Sequence, residues 1–511
     1  MNINCRSIRG GKSSEFQAAL NYIRPDIVCG TESWLKGVQP GKAETADSIK
    51  SSEVFPQNYN AFRNDRGTLG GGVFVLVHQD LISEEKPELV TNCEIEWTKV
   101  KVKGSKDLLI SSFYMPHRSL IHVSELKKSL ELTTTGKEKH IILAGDFNCP
   151  DIDWKTLTVR NNAQDREVQQ ALLDVITEFN LTQIHDQPTR ENNLLYLIFT
   201  SNPSIIKSTA NAPGISDHAI VVADSDTKPI YVKQKPRKCL IYSKANWEQI
   251  KADSKNISQR VTSLATSDST TDQLWNIFKH ELKNTIDRNI PTRTKKSNNS
   301  TPWLTMKLRR MLKRKARLYK KARATNNWSL YKDYQKHCKR KFRKAEWTHV
   351  NDIINEGLKS NNTKPFWRFI KSKKEDNVGV APLKDKGHLT SDSKTKAELL
   401  VKHFESVFTS EHVEQLPEFP NRISENIEHL VISQEGVRKL LLNLDTIKAG
   451  GPDQLPTKVL QQCAVELAPA VTSIFQSFID SGELPLDWRN SFVTPVFKKG
   501  DRHLPENYRP V

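Results

Sequence analysis

Cysteine is scarce in this 511-residue chain, and its placement excludes two common stabilising devices. The seven cysteines are odd in number and include no CxxC pair. Neither a disulfide framework nor a zinc cluster is therefore indicated, and a reducing compartment fits best.

Long apolar runs are also missing. No stretch approaches the roughly 18 residues of a membrane span, and the first residues lack the basic-then-apolar order of a signal peptide. We expect a soluble intracellular protein without a membrane partner. Its length predicts two to four domains.

Positive charge is abundant but unevenly distributed, within a net charge of +18. Residues 1–230 hold 25 Lys and Arg against 29 Asp and Glu, a net −4, whereas residues 231–511 hold 52 against 30, a net +22. The first part is typical of an ordinary globular enzyme, and the second concentrates the charge that could bind a polyanion.

Short apolar runs alternate with helical patterns through residues 1–230, which predicts layered α and β structure. The predicted strands are Ile27–Cys29, Val73–Val77, Trp97–Val102, Leu108–Phe113, Ile141–Ala144, Leu195–Phe199 and Ala219–Val222, and the predicted helices are Ser14–Ile23, Val123–Glu131 and Arg166–Phe179.

Polar residues stand at the ends of several of these strands. In the run Ile141 to Asn148, Asp146 and Asn148 are two apart, so an extended chain would point both to one face. A carboxylate and an amide there suit holding a phosphate beside a hard cation, although a strand ending in an Asx turn would look similar. The polar residues that follow or precede other strands are Asn4, Glu32, Tyr114, Asp217 and His218.

The order of these residues resembles the endonuclease/exonuclease/phosphatase superfamily, most closely the apurinic-like endonuclease domain of non-LTR (LINE-type) retrotransposons. The matching segments, over about residues 1–225, are NCRSIR with Asn4, PDIV at 25–28, TESWL at 31–35, GGGV at 70–73, FY at 113–114, GDFN at 145–148, LIFTS at 197–201 and SDH at 216–218. The resemblance implies a four-layered α/β sandwich whose loops converge at one end.

The resemblance also implies a role for each residue. Glu32 would anchor Mg²⁺ with Asn4 close by, Mn²⁺ being the other ion that could serve, and no small-molecule cofactor is expected. His218 would orient or deprotonate the attacking water. Asp146 and Asn148 would position the water and the phosphate, Asp217 would hold a neighbouring group or a second metal, and Tyr114 would donate toward the phosphate.

Two positions depart from the family pattern. The family carries an Asp that orients the catalytic His where this chain has Tyr196, and a phenol cannot stabilise an imidazolium as a carboxylate does. Only three residues precede Asn4, so we expect the first strand to be shortened, as in a truncated copy.

The middle of the chain is its most cationic part. Residues 307–344 hold 17 Lys and Arg against one acid, Asp333, with apolar residues at spacings of three and four that predict a helical hairpin broken at 325–327. Like charges at this spacing repel unless a polyanion relieves them, so we predict sequence-independent nucleic-acid binding. A membrane-surface helix or a nuclear-import signal are the alternatives. The residues predicted to bind nucleic acid are Lys307, Arg309, Arg310, Lys313, Arg314, Arg317, Lys320, Lys339, Arg340 and Arg343.

The last third is similar to the opening of a reverse transcriptase from the same class of element. The matching segments are KAGGPD at 448–453, with Gln454 where the family commonly has Gly, VTPVFKKGD at 493–501 and NYRP at 507–510. Such polymerases use an Asp-Asp pair to hold two metal ions, and this chain contains none, so we expect no polymerase activity.

We therefore predict an endonuclease-like domain over 1–225, a linker and helical segment over 226–300, a basic hairpin over 301–375 and a partial, mostly helical reverse-transcriptase segment over 376–511. The predicted activity is Mg²⁺-dependent nicking of DNA that leaves a 3′-OH, with DNA and the element's RNA as partners, in the nucleus after synthesis in the cytoplasm. A catalytically decayed nucleic-acid-binding remnant is the first alternative, and a small-molecule phosphatase of the same superfamily is the second.

Overall fold

The computed structural model describes the chain except for residues 43, 69, 105, 135–138, 232–237, 266–268, 295–300, 360–362, 375–378, 386–387, 391, 409–428 and 449. Residues 232–237, 266–268 and 295–300 of the predicted linker and helical segment over 226–300 therefore lie outside the described residues. The chain forms two compact units: Met1–Lys233 with Asn298–Lys396, and Gln234–Ser297 with Ala397–Val511. The basic hairpin thus belongs to the first unit, while the domain boundaries at 225, 300 and 375 stay predictions.

Within the described residues, the strands fall into two large sheets and four small two-stranded ones. In chain order they are β1 (Asn2–Asn4), β2 (Ile27–Thr31), β3 (Tyr59–Asn64), β4 (Val73–His78), β5 (Ser83–Glu85), β6 (Glu94–Val100), β7 (Leu108–Tyr114), β8 (His140–Asp146), β9 (Ile152–Asp153), β10 (Thr158–Val159), β11 (Thr182–Gln183), β12 (Tyr196–Thr200), β13 (Ile206–Ala212), β14 (Ile220–Ser225), β15 (Lys238–Leu240), β16 (Thr292–Thr294), β17 (Leu383–Asp385), β18 (His388–Thr390), β19 (Pro495–Phe497) and β20 (Tyr508–Pro510).

Helices flank the sheets in the first unit and dominate the second. They are α1 (Ser13–Ile23), α2 (Ser51–Val54), α3 (Leu120–Thr134), α4 (Arg166–Glu178), α5 (Trp247–Ala265), α6 (Thr271–Asn289), α7 (Met306–Thr325), α8 (Ser329–Lys359), α9 (Lys364–Lys374), α10 (Ser393–Ser406), α11 (Gln434–Leu442), α12 (Thr457–Gln462) and α13 (Ala464–Ser481). Within the described ranges, no helix combines the length and the apolar character needed to cross a bilayer.

The first unit is built on two six-stranded mixed sheets, ordered β13-β14-β1-β2-β4-β3 and β11-β12-β8-β7-β6-β5. Side chains of both sheets share one core, to which Val75 contributes from one sheet and Ile110 from the other. The outer face of the first sheet packs on α1 through Phe16, and that of the second sheet packs on α3 and α4 through residues such as Leu126 and Leu172. This is a four-layered α/β sandwich, so the predicted fold class is confirmed.

All seven predicted strands and three predicted helices are present, with ends within three residues of those predicted. The strands that sequence reasoning missed include β3, β5, β11 and β13, which form the outer edges of the two sheets. Edge strands carry more polar residues because only one side is paired, and β13 reads Ile-Lys-Ser-Thr-Ala-Asn-Ala. The alternation of apolar residues is therefore too weak there to predict a strand.

The predicted basic hairpin is confirmed as α7 and α8, separated at Asn326–Trp328. Both helices turn apolar residues toward each other and toward α1, with Leu308, Leu312 and Phe342 packed against Ala18. The hairpin is thus a packed part of the first unit.

The second unit is mostly helical, as the sequence predicted for its two segments, and the structure packs both segments into one bundle. The helical pattern at 246–290 is two helices, α5 and α6, which pack with α13 around a core that includes Ile250, Phe278 and Leu467. In the predicted mostly helical segment over 376–511, α12 and α13 are separated at Cys463. Gln454 stands where the reverse transcriptases named above commonly have Gly. Its backbone is left-handed, with φ 59°. That conformation favours glycine.

Candidate active site

Four polar side chains line up across neighbouring strands at one end of the second sheet. In register across β6, β7, β8 and β12 stand Glu94, Tyr114, Asp146 and Tyr196. Alternation along each strand turns them toward the first sheet, because Ala144 and Ile198, two residues from Asp146 and Tyr196, lie in the shared core.

The first sheet brings Asn4 and Glu32 to the same end. Asn4 ends β1 and pairs in register with Thr31, the last residue of β2, so Glu32 follows directly. The Asn4 amide Nδ2 donates to Glu32 Oε1 at 2.6 Å and to Asp146 Oδ2 at 3.2 Å. One amide therefore ties together two carboxylates from opposite sheets.

Asp146 is the buried centre of this group. Its Oδ2 also accepts a hydrogen bond from the Tyr196 hydroxyl at 3.1 Å, and its buried Oδ1 has no hydrogen-bond partner among the described residues. Burial raises the pKa of Asp146 to about 7, and the negative charge of Glu32 adds to this, although the donors on Asn4 and Tyr196 oppose it. A cation placed between the two carboxylates would relieve the repulsion.

The loops that carry these residues hold unusual backbone conformations. Glu32, Trp34 and Asn148 have φ values of 50°, 56° and 49°, in the left-handed region that non-glycine residues rarely adopt. Such conformations concentrate at functional sites, where the surrounding structure enforces them. Gly145 is required for another reason, because a Cβ there would lie 1.9 Å from the carbonyl oxygen of Phe113.

Asn148 does not follow the predicted geometry. The prediction that it shares a face with Asp146 assumed an extended chain, but β8 ends at Asp146 and the backbone then turns. The Asn148 amide donates instead to the Met115 carbonyl at 2.7 Å. Its role in positioning a phosphate stays a prediction.

His218 lies on the other side of Tyr196. Its ring meets the Tyr196 ring edge-on, with 4.9 Å between centroids, and its buried Nδ1 has no hydrogen-bond partner among the described groups. Burial lowers the pKa of His218 to about 4, against the opposing effect of the Asp217 carboxylate. The imidazole is therefore neutral at pH 7.

Asp217 faces two arginines at the rim of the site. Its carboxylate lies 3.1 Å from Arg190 and 3.6 Å from Arg6. Burial alone would raise the pKa of Asp217, but the positive charges of Arg190 and Arg6, and of His218 when it is protonated, lower it. This arrangement leaves Asp217 as an anion held by cations.

Tyr114 lies in the row between Asp146 and Glu94. The Arg66 guanidinium lies 5.7 Å from its ring centre and pairs with Glu94, which also accepts from the Gly72 amide at 2.6 Å. Burial, followed by the nearby carboxylates, raises the pKa of Tyr114, so its hydroxyl remains a donor at neutral pH.

The donor set suits a hard divalent cation that keeps part of its water shell. Mg²⁺ usually binds proteins through one or two carboxylates plus water and substrate phosphates, and Glu32 and Asp146 supply two carboxylates beside one amide. The unpartnered Oδ1 of Asp146 is a further available ligand atom. Among the described residues, no cluster of three or more His, Cys, Asp or Glu has the arrangement of an all-protein metal cage.

The residues predicted to bind nucleic acid fall into two groups in the structure. Lys339 and Arg343 pair with Glu15 of α1 at 3.5 and 3.2 Å, and Arg309 donates to the Leu304 carbonyl. The residues of the other group are exposed to solvent. They are Lys307, Arg310, Lys313, Arg314, Arg317, Lys320 and Arg340.

Sequence reasoning missed three groups at the site. Arg6 and Arg190 bind Asp217, and Ser216 donates through its hydroxyl to the Asn4 carbonyl at 3.0 Å. Arg6 and Ser216 lie inside the quoted segments NCRSIR and SDH, so their position beside candidate residues was an available signal. Arg190 is in a loop 27 residues before Asp217, and nothing local marks it.

Comparison with known proteins gives one family match and a set of distant structural matches. Residues 108–222, which include Tyr114, Asp146 and His218, match the family described as endonuclease-reverse transcriptase. The endonuclease domain of TRAS1, a telomere-specific non-LTR retrotransposon, is 15% identical, with 44% of this chain and 96% of that chain covered and a TM-score of 0.33.

Two further structures are similarly distant. The 3′-5′ exonuclease NExo from Neisseria meningitidis is 14% identical, over 44% of this chain and 98% of that chain, with a TM-score of 0.32. An AP endonuclease from Archaeoglobus fulgidus is 16% identical over the same shares, with a TM-score of 0.30. The family match over residues 108–222 and the sandwich topology make the α/β part of the first unit similar to domains of the endonuclease/exonuclease/phosphatase superfamily.

Proposed function

We propose that the first unit hydrolyses DNA phosphodiester bonds with Mg²⁺ and leaves a nick with a 3′-OH, as the endonuclease of a non-LTR retrotransposon would. The observation that carries this proposal is the Asn4 amide, which joins Glu32 and Asp146 beside His218. These residues come from loops more than 200 positions apart, and a merely structural sandwich has no need to gather them.

The residue types supply the parts that the reaction needs. A phosphodiester repels nucleophiles because its oxygens are negative, and a bound Mg²⁺ neutralises that charge. Glu32 and Asp146 would hold the ion, with Asn4 fixing their separation. The neutral imidazole of His218 would accept a proton from water as the water oxygen attacks phosphorus. The bond from phosphorus to O3′ would break, and O3′ would take a proton from solvent to give the 3′-OH. Tyr114 would donate to a phosphate oxygen.

The exposed basic residues of α7 and α8 give the DNA a sequence-independent binding surface. Phosphate contacts of this kind raise affinity without selecting a sequence, and they weaken steeply with salt. Replacing Arg310, Arg317 and Arg340 together by Gln should weaken DNA retardation and flatten its salt dependence. Unchanged binding by the triple variant would remove the hairpin from the DNA-binding surface.

A binding remnant without catalysis is the second candidate, and one contact favours it. The Tyr196 hydroxyl is committed to Asp146, so no carboxylate orients the His218 ring, and Nδ1 has no hydrogen-bond partner among the described groups. Without such a partner the imidazolium formed during the reaction is poorly stabilised. DNA binding needs neither residue.

A nicking assay on supercoiled plasmid separates the two candidates. The nuclease proposal predicts relaxed circles with Mg²⁺, none with EDTA and none with His218→Ala. Retardation of DNA without any nicking would support the remnant, and equal relaxation by the His218→Ala protein would show that the activity has another source.

For the second unit we propose a partial reverse-transcriptase segment over about residues 430–511. Two of its motif segments pair as strands, since Val496 of β19 lies in register with Arg509 of β20. No Asp-Asp pair is present in the sequence, so no primer extension is expected. Extension of a primed template by the purified chain would overturn this part.

A further inference from the structure

The basic hairpin packs directly against the chain segment that carries His218. Tyr319, Ala322 and Tyr331 of the hairpin form one apolar cluster with Ala219, the residue after His218. The hairpin therefore contacts the segment that carries His218 through an apolar face. Its exposed cations lie on a different face.

Polar side chains of the hairpin donate hydrogen bonds to backbone carbonyls of the same segment. Lys315 Nζ donates to the Gly214 carbonyl at 2.9 Å, and Gln335 Nε2 donates to the same oxygen at 3.3 Å. Lys339 Nζ donates to the next carbonyl, that of Ile215, at 3.3 Å. Three donors from two helices thus converge on two consecutive peptide groups.

Lys315 is exceptional among the lysines of this basic helix because its side chain is buried. It is 8% exposed, whereas Lys313 and Lys320 on the same helix are exposed. Burying an ammonium group is unfavourable, and burial lowers the pKa of Lys315 to about 8. Pointing the side chain outward would avoid this cost, so its inward position indicates a structural use.

The Gly214 and Ile215 carbonyls belong to the same backbone turn as His218. A Cβ on Gly214 would lie 1.7 Å from the His218 carbonyl oxygen, so the start and end of the turn are in direct contact. Ser216, between them, donates through its hydroxyl to the Asn4 carbonyl, and the His218 amide donates to the same hydroxyl at 3.3 Å. The turn is therefore held between the carboxylate group and the hairpin.

We propose that the α7–α8 hairpin is part of the catalytic domain, in which Lys315 and Gln335 are positioning residues that fix the turn 214–219 and with it the His218 ring. The inference deepens the nuclease proposal and rests on it for the activity readout. It assigns the hairpin a role in positioning His218 that is independent of its exposed charges. The catalytic domain would then extend beyond residue 225 to include α7 and α8.

The test compares Lys315→Met with Lys127→Met in the full chain. Methionine keeps the length and apolar stem of lysine but removes the donor, and Lys127 is a partly exposed lysine on α3 that pairs with Glu178 in a different layer of the sandwich. Amide hydrogen exchange at residues 214–219 and the NMR signals of the His218 imidazole are measured beside plasmid nicking.

For Lys315→Met we expect amide exchange in the turn to rise about 10-fold, the His218 signals to shift, and nicking to fall about 10-fold or more with DNA retardation unchanged. Lys127→Met should match the wild type in all of these. Lys315→Arg, which restores a donor, should recover part of the protection. Gln335→Leu provides a milder second variant if Lys315→Met fails to fold.

Exchange and His218 signals that are the same in Lys315→Met and Lys127→Met would overturn the positioning role. These two readouts do not need activity. A wild-type chain that never nicks would therefore refute the nuclease proposal while leaving the role of the hairpin decided by exchange and NMR.

Discussion

The two sides of the candidate site differ in how completely their polar side chains are hydrogen-bonded. On one side Asn4, Glu32, Asp146 and Tyr196 form a continuous hydrogen-bonded group that spans both sheets. On the other side His218 touches Tyr196 only ring to ring, and its Nδ1 lacks a hydrogen-bond partner among the described groups. The side that would hold the cation and phosphate is complete, whereas the side that would move the proton lacks an orienting carboxylate.

This difference separates two properties that an intact nuclease combines. Under the proposed function, cation and DNA binding would depend on the carboxylate side and on the exposed arginines and lysines of the hairpin. Turnover would depend in addition on His218. We therefore expect substitutions on the two sides to affect binding and nicking differently.

The largest effect is expected on the carboxylate side. Glu32→Gln keeps the shape of the side chain but removes a charge that would hold Mg²⁺, so nicking should fall about 10³-fold while DNA retardation at low salt persists. Single-turnover plasmid nicking measures this. Glu131→Gln, at an exposed position on α3, is the control. Nicking by Glu32→Gln at the wild-type rate would contradict the assignment of the site.

The strain on the carboxylate side should be visible in stability. The folded pKa of Asp146, about 7, lies above the ordinary 3.8, so the folded state binds this proton more tightly than the unfolded state. The associated stability is present below pH 3.8 and is lost as the pH rises through 7.

Relative to Asp146→Asn, the wild type should therefore lose up to about 4 kcal/mol of unfolding free energy between pH 4 and pH 8 without metal. Urea unfolding at a series of pH values measures the difference. Asp153→Asn, at an exposed carboxylate whose pKa is lowered by backbone amides, should show no such loss. Parallel curves for the wild type and Asp146→Asn would show that Asp146 is not strained.

A gain of function is expected on the imidazole side. Tyr196→Asp restores a carboxylate next to the His218 ring, where it would orient the ring and stabilise its cation. Nicking should rise about 10²-fold, since loss of the corresponding Asp in a serine protease costs about 10⁴. Tyr196→Asn is the matched neutral variant. Equal rates for the Asp and Asn variants would mean that the missing charge does not limit turnover.

The smallest effect tests the contact that links the two sides. Tyr196→Phe removes the hydroxyl that donates to Asp146, so the pKa of Asp146 should rise further and the protein should lose about 1 kcal/mol of stability. A carbon-13 NMR titration of the Asp146 carboxyl reports the pKa. A lowered pKa in the Phe variant would show that the hydroxyl does not stabilise the carboxylate.

Much of the α/β fold was predictable because its central strands are nearly all apolar. The runs at Val73–His78 and Leu108–Tyr114 are buried between neighbours on both sides, whereas the edge strand β13 is polar and was missed. The meeting of Asn4, Glu32, Asp146 and His218 was expected from the order of the motifs. Their roles as ligands or bases stay predictions.

Other features could not be read from spacing. The hydrogen bond from the Tyr196 hydroxyl to Asp146 and the turn at Asn148 depend on the backbone geometry of the folded chain. The order of the residues alone does not predict that geometry. The burial of Lys315 was hidden because sixteen other basic residues surround it in the same segment, and only packing shows which of them points inward. Charge counting predicted the basic surface of the hairpin but not its contact with the turn before His218.

The most direct test of the central claim is cation binding measured by water-proton relaxation with Mn²⁺ as the probe. The wild type and His218→Ala should both bind one Mn²⁺, and Glu32→Gln should lose this binding, because the proposal places the ion on the carboxylate side alone. Equal Mn²⁺ binding by the wild type and Glu32→Gln would contradict a cation site at Glu32 and Asp146, and with it the proposed chemistry.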